Sequence, residues 1–187
     1  MKQYQPLLLF LLRFLGSYVL MILIYNWYLN QFLPFGNPDP FTKFSSDAAA
    51  KLFNFLGIQA DSLHVGKDQF MRLAVEGKFS SIVNEGCNAI SILIIFVAFI
   101  LAFYTNFKQT FLYLLSSLII LITMNIFRIV LLTYIFRFLP EYGKSAHDYL
   151  FPAIIYGSII VLWIIWIKFF VIKKTNQPCQ TNTSESF

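Results

Sequence analysis

A thiol, a guanidinium and an imidazole stand in this chain in an order that could make and break an acyl bond. Cys87 lies in NEGCNAI, Arg128 in MNIFRIVLL and His147 in SAHDYLF. A cysteine becomes an effective nucleophile when a nearby cation or a helix N-terminus favours its thiolate. An imidazole can take the thiol proton and later return it to a leaving amine. A guanidinium can hold the oxyanion of a tetrahedral intermediate, or the carbonyl that precedes it. Asn125 lies three residues before Arg128, on the same helix face, where it can orient the guanidinium or line the same cavity. Glu85, Asn88 and Asp148 flank the thiol and the imidazole as supporting groups.

Each residue also has a plainer reading. Cys87 alone reads as a small buried apolar side chain, and His147 alone as a surface-loop imidazole. Arg128 could pair with Glu85 or Asp148 and merely tie helices together. The case for chemistry rests on the three groups reaching one place, so the elements that carry them decide it.

Those elements are membrane helices. Of 187 residues, 58% are hydrophobic and 12% charged, against about 25% charged in an ordinary soluble domain. The expectation is an all-α integral membrane protein in one domain, residues 1–174. Its four transmembrane helices are placed at roughly 7–29, 88–107, 110–138 and 150–172. The first reads as an uncleaved anchor, with Arg13 snorkelling to the near headgroups. Only TNFKQT separates the second and third, which implies a tight hairpin. Arg128 falls ten residues before the end of the third span, about 15 Å of helix axis. A guanidinium at that depth costs roughly 2.5–3.5 kcal/mol and calls for a partner, water or an anion.

Lys2, Lys108 and the Lys168, Lys173 and Lys174 group fall on one side of these spans. The positive-inside rule then places both termini in the cytoplasm of a bacterial inner membrane. Segment 30–87 faces the periplasm, with Cys87 and His147 at that rim. LPFGNPDP opens the segment as a turn. FSSDAAAKLFNFLGI follows as a short amphipathic helix, capped by Ser or Asp, whose Phe44, Leu52, Phe53, Phe55 and Leu56 lie on the membrane surface. The stretch after it reads as a hairpin or an irregular cover. Residues 175–187, which hold Cys179, read as a disordered cytoplasmic tail.

The net charge of +5 is scattered among the spans, which speaks of topology and not of nucleic acid. His64 has no polar cluster around it, and SAHD offers no second ligand at helical spacing. No zinc site, phosphate loop or other cofactor is expected. Two functions other than catalysis remain open: a membrane assembly protein with a structural Arg128, and a small transporter whose Arg128 binds an anion.

EGCNAI, MNIFRIVLL and SAHDYLFPAIIYG, in that order, resemble the exosortase/archaeosortase family of membrane transpeptidases, most closely the exosortase F subgroup of Bacteroidetes. The resemblance covers residues 80–172 well and the rest loosely. It implies a membrane cysteine protease or transpeptidase that cleaves a C-terminal sorting signal, itself a transmembrane helix, and passes the new carboxyl end to an acceptor such as a surface polysaccharide or lipid. It implies Cys87 as nucleophile, Arg128 as transition-state stabiliser and His147 as acid and base. One departure stands out. The family's cysteine is usually followed by a small residue and then glycine, where this chain has Asn88 and Ala89.

Overall fold

The computed structural model describes residues 4–172. The tail 175–187, with Cys179, and the Lys173 and Lys174 pair lie outside them. Helix α1 (Gln5–Leu29) is followed by a short 3₁₀ turn at Leu33–Phe35. Helix α2 (Pro40–Phe55) then leads into three strands, β1 (Ala60–Leu63), β2 (Met71–Val75) and β3 (Lys78–Val83). Helices α3 (Ile90–Ala102) and α4 (Phe107–Phe138) come next. Helix α5 (Pro140–Ser145) runs through a π-helical turn, Ala146–Leu150, into α6 (Phe151–Trp166), and a second π-helical stretch ends at Ile172.

Three stretches are long and apolar enough to cross a membrane: Leu7–Phe35, Phe107–Phe138 and Pro140–Ile172. The expected second span is not one of them. Helix α3 has 13 residues, about 20 Å of axis, against about 30 Å of hydrocarbon. It begins only at Ile90, because Ala89 is left-handed. It stops at Ala102, because Asn106 opens α4 by accepting from the Lys108 N–H at 3.3 Å. The fourth span also starts earlier than expected, so the loop 139–149 is helical and carries His147 inside the π-helical turn.

Helix α4 carries both Asn125 and Arg128. Its 32 residues span about 48 Å, well beyond the hydrocarbon thickness. Its first half packs in a bundle core, where Leu121 meets Phe96, Ile155 and Trp166. Its second half enters another core, where Ile129 and Val130 meet Phe53, Met71, Leu73 and Val75. One helix is thus both membrane span and stalk for the cap. Asn125 lies about 27 Å along the axis from Phe107, and Arg128 about 32 Å.

The cap is a three-stranded antiparallel sheet in the order β1-β2-β3. Glu76 and Gly77, at φ 50° and 71°, make the two-residue turn between β2 and β3, as hairpins favour. Helix α2 seals the sheet with its small face, burying Ser45, Ser46, Ala49 and Ala50 along with Phe53. Of the residues expected on the apolar face of this helix, Phe44, Phe55 and Leu56 are exposed, but Phe53 is core. Arg137 ties the end of α4 to the hairpin, meeting Glu76 and the Val75 carbonyl, each at 3.3 Å.

Candidate active site

Cys87 sits where the sheet hands the chain to α3, and its backbone is held on every side. Its N–H donates to the Asn84 carbonyl at 2.9 Å. Its own carbonyl accepts from Asn125 Nδ2 at 3.0 Å, which clamps the turn to α4. The next side chain, Asn88, is 1% exposed. Its Oδ1 accepts from the Ile90 N–H at 2.9 Å, and its Nδ2 donates to Thr42 Oγ1 at 3.0 Å and to Asp39 Oδ2 at 3.4 Å.

Asp39 is fully buried and gathers five donors. The N–H groups of Phe41 and Thr42 reach it at 3.0 and 3.1 Å, Tyr28 Oη at 3.3 Å, and the Thr42 hydroxyl and the Asn88 amide complete the set. A buried carboxylate is tolerable only with such satisfaction. The result is a polar post that joins α1, the start of α2 and the residue beside the thiol. The sequence reading missed Asp39 and Thr42, because it took GNPDP for a turn and began the helix at FSSDAAA. The signal was present: Asp followed by Pro is an N-cap with proline at the first helical position.

The departure at Asn88-Ala89 now has a physical account. Ala89 has φ +65°, the conformation that glycine adopts freely and an L-residue adopts at about 1–2 kcal/mol. The backbone thus bends where the resemblance expects glycine, and the hydrogen bonds of Asn88 hold the bend. Ala89→Gly should raise the thermal stability of the purified chain by up to about 1 kcal/mol and leave its function intact. A fall in melting temperature would contradict this account.

Arg128 donates from Nη1 to Asn125 Oδ1 at a long 3.5 Å, and its buried Nε–H has no partner. Among the described residues it forms no ion pair, so neither Glu85 nor Asp148 neutralises it. Glu85 is half-buried in the turn before Cys87 and does not line the cavity described below. Asp148 instead holds His147, with Nδ1 and Oδ1 2.9 Å apart. Such a contact places the proton on Nδ1 and leaves Nε2 as the nitrogen free for proton exchange. Both side chains are nearly half exposed, His147 at 49%, so the pair is open to substrate and water. Gly143 lets α5 lie against Phe136, since a Cβ there would strike the Phe136 ring. That close crossing sets the height of His147. His64 bonds to the Asp68 carbonyl at 2.8 Å in the β1–β2 loop, away from these groups.

Cys87, Arg128 and His147 line one cavity of about 760 Å³. Its walls are β3 on one side, Ile129, Leu132, Thr133 and Phe136 of α4 on another, and Lys144 and Asp148 beside His147. Asn125 stands behind this wall, 2% exposed, bracing both Cys87 and Arg128. The sequence reading did not foresee Arg72 or Lys144 at the cavity, because their approach depends on the strand register and on the helical path of 140–149. Arg72 is neutralised by Asp68 at 2.6 Å. Lys144 forms no ion pair among the described residues, so it and Arg128 leave the cavity cationic. Positive charge of this kind suits an oxyanion that develops within the cavity.

Comparison with known proteins agrees with the resemblance at family level. No curated protein and no solved structure matches the chain. The model of the transmembrane exosortases (Exosortase_EpsH) matches residues 5–170, nearly the whole length. The chain belongs to the transmembrane exosortase family.

Proposed function

We propose that this exosortase cleaves the C-terminal sorting signal of exported proteins through a thioester on Cys87, at the periplasmic face of a bacterial inner membrane. The family supplies the general class, a membrane cysteine transpeptidase. The observation that carries the assignment of residues is the shared cavity. A thiol, a guanidinium and an imidazole from three separate elements line it, about one hydrocarbon thickness along α4 from its start.

His147 Nε2 takes the proton of Cys87 Sγ, and the thiolate attacks the carbonyl carbon of the scissile peptide. The oxygen of the tetrahedral intermediate gathers negative charge beside Arg128, whose Nε–H and Nη–H groups are donors of the right kind. The C–N bond then breaks. The imidazolium gives its proton to the departing nitrogen, and the sorting-signal helix leaves with a new amino terminus. The acyl group remains on sulfur as a thioester. An acceptor nucleophile, or water, attacks that carbonyl and gives up its proton to His147. The collapse expels Cys87 thiolate, which is reprotonated. A boundary position suits this chemistry, because a helical sorting signal presents its cleavage site just where it leaves the lipid.

The test is mass spectrometry of the C-termini of exported proteins from cells with and without this chain. A set of proteins should keep an intact C-terminal apolar helix only when the chain is missing. Identical C-termini in both samples would end the proposal.

A further inference from the structure

The sheet order β1-β2-β3 leaves two edges, and the molecule treats them differently. The edge of β1 is occupied by a side chain: Asn54 Nδ2 donates to the Ala60 carbonyl at 2.8 Å, and the Ala60 N–H donates to Asn54 Oδ1 at 3.0 Å. The edge of β3 has no such cover. Among the described residues, no hydrogen bond from another strand, loop or side chain meets the outer backbone of residues 79–83.

That bare edge is a wall of the cavity. Register with β2 pairs Phe79 with Ala74 and Ile82 with Arg72, while Ser81 pairs with Leu73 and Val83 with Met71. Paired residues share a face, so Phe79 and Ile82 point to one side of the sheet and Ser81 and Val83 to the other. Yet all four, with Ser80 between them, line the cavity. A cavity lying over one face would meet alternate residues. One that meets five in succession runs along the edge. The strand also heads toward Cys87, which follows Val83 by four residues.

The composition of this edge fits an occupant. Phe79 and Ile82 are 64% and 57% exposed, and FSSIV carries neither charge nor proline, the usual guards of an unpaired strand. The bulge at the β2–β3 register shift leaves Ser80 without a cross-strand partner, and bulges recur beside active sites. We propose that the free edge of β3 is a docking strand, on which the extended polypeptide segment flanking the scissile bond adds as a fourth strand and is led to Cys87. This rests on the cleavage reading above and names how that site takes its substrate. Backbone hydrogen bonds would supply much of the affinity, and alternate side chains the selectivity. One edge could then serve several exported proteins whose side chains differ.

The probe is an exported reporter that ends in the C-terminal region of a protein trimmed only when this chain is present. Single cysteines are placed in turn along the eight or so residues before its mapped cleavage site. The full-length chain carries Cys87→Ala and Cys179→Ser, together with either Ile82→Cys or Ser81→Cys. Disulfide formation is read in membranes. Ile82→Cys should capture the reporter position opposite it, and more weakly those two residues to either side, and Ser81→Cys positions of the other parity, with yields at background elsewhere. Ser81→Cys is conservative and Ile82 is exposed, so both variants should fold. Cross-links without alternation, or none from either variant while a chain with intact Cys87 still trims the reporter, overturn the docking strand. Alternating cross-links with trimming that ignores Cys87 keep the docking strand and remove the catalytic reading.

Discussion

Cells in which Cys87→Ala replaces the intact chain should retain the C-terminal helices of its substrates in full, with the protein at normal abundance in the membrane. The two halves of that result follow from different parts of the structure. The thiol is the only proposed nucleophile, and loss of a nucleophile typically lowers turnover by on the order of 10⁴–10⁶. Cys87→Ser should fail almost as badly, because a hydroxyl is far harder to ionise beside a half-exposed imidazole. The fold should hardly notice. Cys87 is a half-buried side chain at the margin of the cap core, and trimming one sulfur there costs about 1 kcal/mol. The turn itself is held by backbone groups and by Asn88 and Asn125, none of which the substitution touches. A membrane assembly protein would be indifferent to the same change, and a small transporter would keep its uptake. Immunoblotting for the chain, with mass spectrometry of exported C-termini, separates these outcomes. Normal trimming by Cys87→Ala would remove the nucleophile from the account.

The sequence made the gathering of three polar groups easier to read than the architecture, for physical reasons. Cys87, Arg128 and His147 stand out because polar groups at the ends of apolar runs are costly and few. Their convergence on one cavity needed only the order of the helices. Helix length was harder. An apolar run from Ile90 onward looks the same in a half-length helix as in a full span, and what shortens α3 is the left-handed Ala89 and the cap at Asn106. The overlong third apolar run hid a second function in its outer half, as the stalk on which the sheet packs. Apolar content alone cannot tell lipid-facing leucine from Ile129 and Val130, which face a protein core. The polar post at Asp39 was hidden for the opposite reason. A Pro- and Asn-rich stretch reads as a turn, and only the fold brings Asn88 to it across 49 residues of chain. The free edge of β3 depends on which strands pair, and short strands leave that open in sequence.

Arg128→Lys should lower trimming by about 10²–10³ while leaving the amount of the chain unchanged. The substitution keeps the positive charge and most of the aliphatic stem, so any role that needs only charge would survive it. A planar guanidinium offers five donors in a fixed fork, whereas an ammonium is a point charge on a flexible stem. Arg128 uses one donor weakly, on Asn125 at 3.5 Å, and keeps a buried Nε–H without a partner. A buried donor left unpaired normally costs about 1–3 kcal/mol, and an oxyanion that forms only during reaction would recover it. Removal of one such donor typically lowers kcat by 10²–10³. The loss should therefore fall on kcat, with KM little changed, when the purified chain acts on a peptide spanning the mapped cleavage site. An anion-binding role predicts the reverse, with the lysine variant close to the parent in rate. Absence of any carboxylate beside Arg128 among the described residues argues in the same direction. Its charge has no carboxylate partner in the cavity that Cys87 also lines, and the same Asn125 holds the Cys87 carbonyl, which is the arrangement expected of a group that waits for charge to develop in the substrate.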